Sequence, residues 1–257
     1  MATPKDQPAD QPKDQPEEVL RSSMPFLEHL DELRKRLLKA ALGVIVCAIL
    51  AFYFSDNIMR FMMEPLNGTP LYNMQVTGTF YAYMKVALFT GIGASLPIIF
   101  YQLWAFIAPG LYHKERKMIL PLVLVSTILF VGGAAFCYYL TLPIALQFLL
   151  GFADELITNY VTIDSYISFV GFLMLAFGLS FQLPIIAYFL GRFGLIASAT
   201  LARGRRYAIL AILIIAAVVT PTPDIFTQLL LAGPMYGLYE ISILVVKFTG
   251  RREKKAV

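Results

Sequence analysis

Charge is scarce in this chain. Only 15% of its 257 residues are charged and 58% are hydrophobic, whereas soluble domains carry about 25% charged residues. That balance excludes an ordinary soluble fold. The two cysteines, Cys47 and Cys137, fall in separate apolar runs. They read as small buried hydrophobes, not as a disulfide framework or a metal site. The two histidines, His29 and His113, lie outside every apolar run. No histidine is therefore placed to build an intramembrane metal centre or to activate Ser180 of Gly178-Leu179-Ser180-Phe181 as a nucleophile. A glycine-rich phosphate loop is also missing. Residues 1–20 are polar, so no cleavable signal peptide is expected. Catalysis, a metal and a cofactor are all unsupported.

What is abundant is long apolar sequence, as in 40–54, 118–140 and 167–190. A bilayer core about 30 Å thick needs ~20 apolar residues of helix, because no backbone polar group can stay unpaired there. A helix on a soluble core would show a polar face at every turn, and these runs do not. The pattern predicts an all-α membrane protein with six transmembrane helices, at 37–54, 81–106, 118–140, 166–190, 207–219 and 225–246. Pro97, Pro184 and Pro234 fall inside spans two, four and six and are expected to bend them. Bent helices are expected to enclose a concave face. Spans five and six are expected to be short. The fifth ends at Thr220-Pro221-Thr222-Pro223-Asp224, too soon to cross an unperturbed bilayer upright, so it predicts local thinning or water entry. A re-entrant hairpin for spans five and six is the alternative.

Charge placement gives the orientation. The formal net charge is +4 and the pI about 9.0. The basic residues follow the membrane loops and form no stripe, so nucleic acid is not an expected partner. Of the 21 Lys and Arg, all but Arg60 and Lys85 fall in 1–39, 114–117, 192–206 and 247–255. In the six-span arrangement these segments share one side. The positive-inside rule places that side, and both termini, in the cytoplasm.

The chain divides into three parts. Residues 1–23 repeat Asp-Gln-Pro and form a polar tail too poor in apolar residues to fold. Residues 24–248 form the membrane domain, and 249–257 a basic cytoplasmic tail. The domain begins with Phe26, Leu30, Leu33 and Leu37 at three- and four-residue spacing among charged residues. That is an amphipathic helix at the membrane surface feeding span one.

Two segments on the cytoplasmic side carry chemistry. His29-Leu30-Asp31-Glu32-Leu33-Arg34-Lys35-Arg36 precedes span one. The second runs from Tyr101 through Trp104, the sole tryptophan, to Glu115 and Arg116. Composition alone permits an interfacial aromatic belt for the second. The patterns H-L-x-E-L-R-x-R, Y-Q-x-W-x-F-I-x-P-x-L-Y-x-x-E-R, T-P-x-P-D-x-x-x-Q and P-M-Y-x-x-Y-E-I nevertheless resemble those of TatC, the receptor subunit of the twin-arginine protein translocase, from about residue 24 to 247. The resemblance implies a subunit of the inner membrane that binds twin-arginine signal peptides of folded cargo. It also implies TatA- and TatB-type single-span partners, other copies of the chain, and transport driven by the proton-motive force.

Residue roles follow from the same resemblance. Glu32 and Glu115 match the signal-binding acids. Arginine's rigid fork gives a carboxylate two parallel bonds that lysine does not reproduce. Pairing of these acids with Arg34, Arg36, Arg116 or Lys117 is the competing reading, and such surface pairs are worth only ~0–1 kcal/mol. Phe106, Pro109, Leu111 and Tyr112 are expected as an apolar rim, with His29, Arg34, Arg36, Gln102, Trp104 and Arg116 as supports. Gln182 stands where the family often has glutamate, on span four ~12 Å from its end at 1.5 Å per residue. Glutamine does not ionise, so a proton relay there is excluded. Two readings stay open: a polar contact to a partner helix or water, or a routine interhelical bond of ~0.6 kcal/mol. Glu240, inside span six, is either functional or paired with a polar neighbour. Asp224 and Gln228 match the partner-docking region. A small-solute transporter and a structural scaffold remain as competing functions, although spans one to three and four to six show no convincing repeat.

Overall fold

The computed structural model describes residues 26–107, 119–151, 160–219 and 224–249. Their order is α1 (Phe26–Tyr53), α2 (Ser55–Met63), a 3-10 turn (Glu64–Leu66), α3 (Gly78–Ile107), α4 (Ile119–Phe136), a π-turn (Cys137–Thr141), α5 (Leu142–Leu150), α6 (Ile163–Ser180), α7 (Leu183–Arg192), α8 (Ser198–Arg203), α9 (Arg205–Val219) and α10 (Ile225–Thr249). The six spans are α1, α3, α4–α5, α6–α7, α9 and α10. Five of these stretches are long and apolar enough to cross a membrane by length and composition. The fifth span, α9, has 15 residues. The polar tail 1–23 and the basic segment 250–257 lie outside the described residues.

Spans three, four and six show how the chain handles proline. Span three does not stop at 140 but runs on to Leu150. A π-turn sits just before Pro143, which occupies the first turn of α5. The wider turn shifts the ladder where proline has no N–H to give. Span four runs on as one stretch, Ile163–Arg192, with a local interruption of its helix ahead of Pro184. Phe181 and Gln182 separate α6 from α7, and Pro184 lies in the first turn of α7, where a missing N–H costs nothing. Span six was expected to be short, yet α10 runs for 25 residues through Pro234. Only α9 is short.

Close packing depends on glycine, because apolar burial gives helices in lipid no driving force to associate. A Cβ at Gly91 of α3 would lie 2.5 Å from the Ala48 Cα of α1. One at Gly178 of α6 would lie 2.5 Å from the Phe130 ring of α4. One packed cluster joins Val86, Cys137, Leu142, Ile167, Val170 and Phe177. A second, of α3, α4 and α7, joins Leu96, Phe100, Trp104, Phe130, Ile185 and Phe189. An apolar cleft of about 370 Å³ opens between α2, α3, α4 and α6.

The face where α1 ends is tied down by directed polar contacts. Tyr138 donates to the Phe61 carbonyl at 2.7 Å and Tyr166 to the Met62 carbonyl at 2.7 Å, fixing α2 over the bundle. Tyr72 forms an isolated parallel bridge with the segment entering α6: its N–H donates to the Val161 carbonyl (2.9 Å) and its carbonyl accepts from the Ile163 N–H (3.0 Å). Lys85 of α3 reaches Asp164 at 2.7 Å and Ser168 at 2.9 Å on α6.

The glycine contacts make a paired prediction. Gly91→Ala forces a methyl against backbone and should cost about 1–3 kcal/mol. Gly93→Ala, whose Cβ meets open space, should leave the thermal unfolding midpoint in detergent unchanged or slightly raised.

Candidate functional site

The opposite face is built from the start of α1 and the end of α3. The His29 ring stacks on the Phe106 ring with centroids 4.3 Å apart and planes 17° apart. Glu32 lies three residues further along α1, on the same face of the helix. Arg36 follows one turn later and turns back on it. Its Nε–H donates to Glu32 Oε1 at 2.8 Å, and its Nη2 donates to the same oxygen. Glu32 Oε2 is buried and has no hydrogen-bond partner among the described residues. Asp31 and Lys35 form a separate pair at 2.6 Å, well exposed to solvent.

The remaining expected residues divide. Arg34 is exposed and Gln102 is half-buried. Trp104 is buried and serves packing, with its ring 4.4 Å from that of Phe189 and its Nε1–H directed at Ser126 Oγ (3.4 Å). Pro109, Leu111, Tyr112, Glu115 and Arg116 lie outside the described residues. His29, Glu32, Arg36 and Phe106 are therefore the members of the expected site that the described structure brings together.

Gln182 is buried at the α6–α7 break. Its Nε2 donates to the Ser126 carbonyl at 3.1 Å and to the Gly178 carbonyl at 3.4 Å. Ser126 thus receives Trp104 on its hydroxyl and Gln182 on its carbonyl. Sequence reasoning passed over Ser126. Its signal was a small polar residue in an otherwise apolar run.

Glu240 is paired. Arg205 Nε donates to its Oε1 (2.7 Å) and Nη2 to its Oε2 (2.9 Å), a side-on fork, while the Tyr236 hydroxyl donates to Oε1 at 2.8 Å. The start of α9 is thereby clamped to α10. At the other end of that hairpin, Asp224 Oδ1 accepts the Thr227 N–H (2.6 Å), capping α10. Gln228 donates to the Leu213 carbonyl of α9 at 3.0 Å. Sequence reasoning also missed the Lys85–Asp164 pair. Lys85 had stood out as one of two cations on the sparsely basic side, which was the signal available. Among the described residues no group of three or more His, Cys, Asp or Glu could hold a metal ion.

The model of the family described as Sec-independent protein translocase protein (TatC) matches residues 28–234. The chain belongs to the TatC family. A Helicobacter pylori (strain J99) TatC is 41% identical over 226 residues, covering 88% of this chain and 90% of its own. Bacillus subtilis TatCy is 39% identical over 238 residues, covering 91% of this chain and 93% of its own. A solved structure described as the crystal structure of the twin arginine translocase receptor TatC superposes with a TM-score of 0.79 at 38% identity, covering 87% of this chain and 100% of that one. The same receptor in DDM gives 0.77 at 40% identity, covering 84% and 98%. As a TatC-family member the chain is a multi-pass membrane component of a protein translocase and not an enzyme.

The position of Gln182 yields a prediction. Gln182→Leu removes one interhelical donor and should lower stability by about 0.6 kcal/mol, with ~1.7 kcal/mol as the ceiling for such bonds. Denaturant unfolding of the purified protein checks it, and a loss of several kcal/mol would contradict the observed contacts.

Proposed function

We propose that this chain is the signal receptor of a twin-arginine translocase. It takes the paired-arginine signal peptides of folded cargo on the face formed by the start of α1 and the end of α3. It then recruits TatA- and TatB-type single-span partners and further copies of itself for export driven by the proton-motive force. That face is cytoplasmic, both termini lie on its side, and the membrane is the inner membrane. The positive-inside distribution of Lys and Arg supports this orientation.

One observation carries the reading: Glu32 holds a buried carboxylate oxygen with no donor among the described residues. A buried acceptor left unmade costs free energy, and a guanidinium N–H from outside the chain removes that cost. The His29–Phe106 stack beside it is an apolar platform for residues flanking the arginines. On the family pattern Glu115 is the second acid, Pro109, Leu111 and Tyr112 belong with Phe106 to the apolar rim, and Arg116 is a support. Arg34, Gln102 and Trp104 support it, Trp104 by anchoring the end of α3. For single-span partners the α9–α10 edge is the dock. α9 exposes Tyr207, Leu210, Ile214 and Val218, and Asp224 and Gln228 hold its far end in place.

The test is capture of a fluorescent twin-arginine peptide by the purified protein. Glu32→Gln and Glu115→Gln should each weaken binding about 10- to 100-fold, the range for a charge-assisted hydrogen bond of ~1.5–3 kcal/mol. A twin-lysine peptide should bind poorly. Equal binding of both peptides to wild type and variants would overturn the proposal.

A further inference from the structure

We infer that Arg36 is a built-in competitor for the Glu32 carboxylate, one that sets how strongly and how selectively the site takes an arginine from cargo. The inference rests on the reading of Glu32 as a receptor group.

The geometry of the pair is unusual in one respect. A guanidinium facing a carboxylate side-on gives one N–H to each oxygen, as Arg205 does with Glu240. Arg36 instead gives both N–H groups to Oε1. The second oxygen stays buried and bare. Glu32 is therefore neutralised in charge but not satisfied in hydrogen bonding. The side chains of Arg36 and Glu32 are only 24% and 21% exposed, so water screens the pair weakly. Its neighbours do not replace Arg36: Lys35 is committed to Asp31, and Arg34 is exposed.

Two consequences follow for an incoming cation. Coulomb attraction to Glu32 is largely cancelled by repulsion from Arg36, which sits only a carboxylate's width away. What remains attractive is the bare oxygen itself, a directional target once rotation of the partly exposed Glu32 side chain brings it out of burial. A guanidinium brings five N–H donors in a fixed planar fork and is weakly hydrated. An ammonium is a compact, strongly hydrated point charge. The cancelled field thus removes the advantage a lysine would draw from charge alone and leaves the one an arginine draws from geometry. Discrimination here works by suppressing the wrong ligand as much as by attracting the right one.

The experiment uses the full-length protein in lipid nanodiscs and two fluorescent peptides that differ only in carrying paired arginines or paired lysines. Arg36→Gln exposes the full charge of Glu32. It should tighten the twin-lysine peptide about tenfold and the twin-arginine peptide by less, so the preference narrows. Arg36→Lys keeps the positive charge and should stay near wild type, whereas Arg36→Met, neutral and of similar length, carries the test if Arg36→Gln does not fold. Weaker or unchanged binding to the neutral variants, or an undiminished preference for arginine, overturns the inference. Glu32→Gln separates the two levels. If it abolishes twin-arginine binding while the Arg36 variants change nothing, only the role of Arg36 fails. If it changes nothing, the receptor reading fails as well.

Discussion

Backbone N–H and C=O groups inside hydrocarbon have no water to turn to, and that constraint shapes most of this molecule. It forces helices, and it makes each proline inside a span a local problem. Pro97 and Pro234 are absorbed within α3 and α10. Pro143 is met by a π-turn and Pro184 by a break in span four. At the break the freed groups are not left alone: the Gln182 side chain donates to the Gly178 carbonyl on its own side and to Ser126 across the interface.

The two ends of the bundle are finished differently. Where α1 ends, Tyr138, Tyr166, Lys85 and the Tyr72 bridge join segments far apart in sequence. Each such contact removes freedom from that face. Where α1 begins, contacts between helices are present too: the His29–Phe106 stack joins α1 to α3, Trp104 reaches Ser126, and the Arg205–Glu240 fork joins α9 to α10. The Glu32–Arg36 pair, by contrast, lies within one turn of one helix and orders little beyond it.

The spans were legible because apolar length and loop charge are one-dimensional signals. Run lengths marked six helices, and the basic loops ordered them. The exact ends were not legible, since a π-turn at Cys137–Thr141 and a break at Phe181–Gln182 depend on how Pro143 and Pro184 meet their neighbours. Motifs identified His29, Glu32, Arg36 and Phe106, and the structure places them together at the joint of α1 and α3. The motif gave no hint that Arg36 bonds one oxygen of Glu32 and leaves the other bare, because that is a matter of rotamers. Trp104 was legible as conspicuous but not as an anchor, since its partners Ser126 and Phe189 lie on other helices. Lys85 was visible only as an exception until Asp164 and Ser168 stood beside it.

The brevity of α9 reaches beyond the chain itself. Fifteen residues at 1.5 Å each make a rod of about 22 Å, short of the ~30 Å hydrocarbon layer. A span this short is accommodated by snorkelling flanks, by association with other helices or by thinning of the surrounding lipid, and thinning extends outward as a dimple. A second short helix elsewhere in the membrane carries a dimple of its own. When the two meet, the strained perimeters merge and part of the elastic energy is recovered. If the proposed recruitment at the α9 edge holds, the bilayer itself would then be a medium of attraction, drawing short-spanning helices together before any side chain has touched.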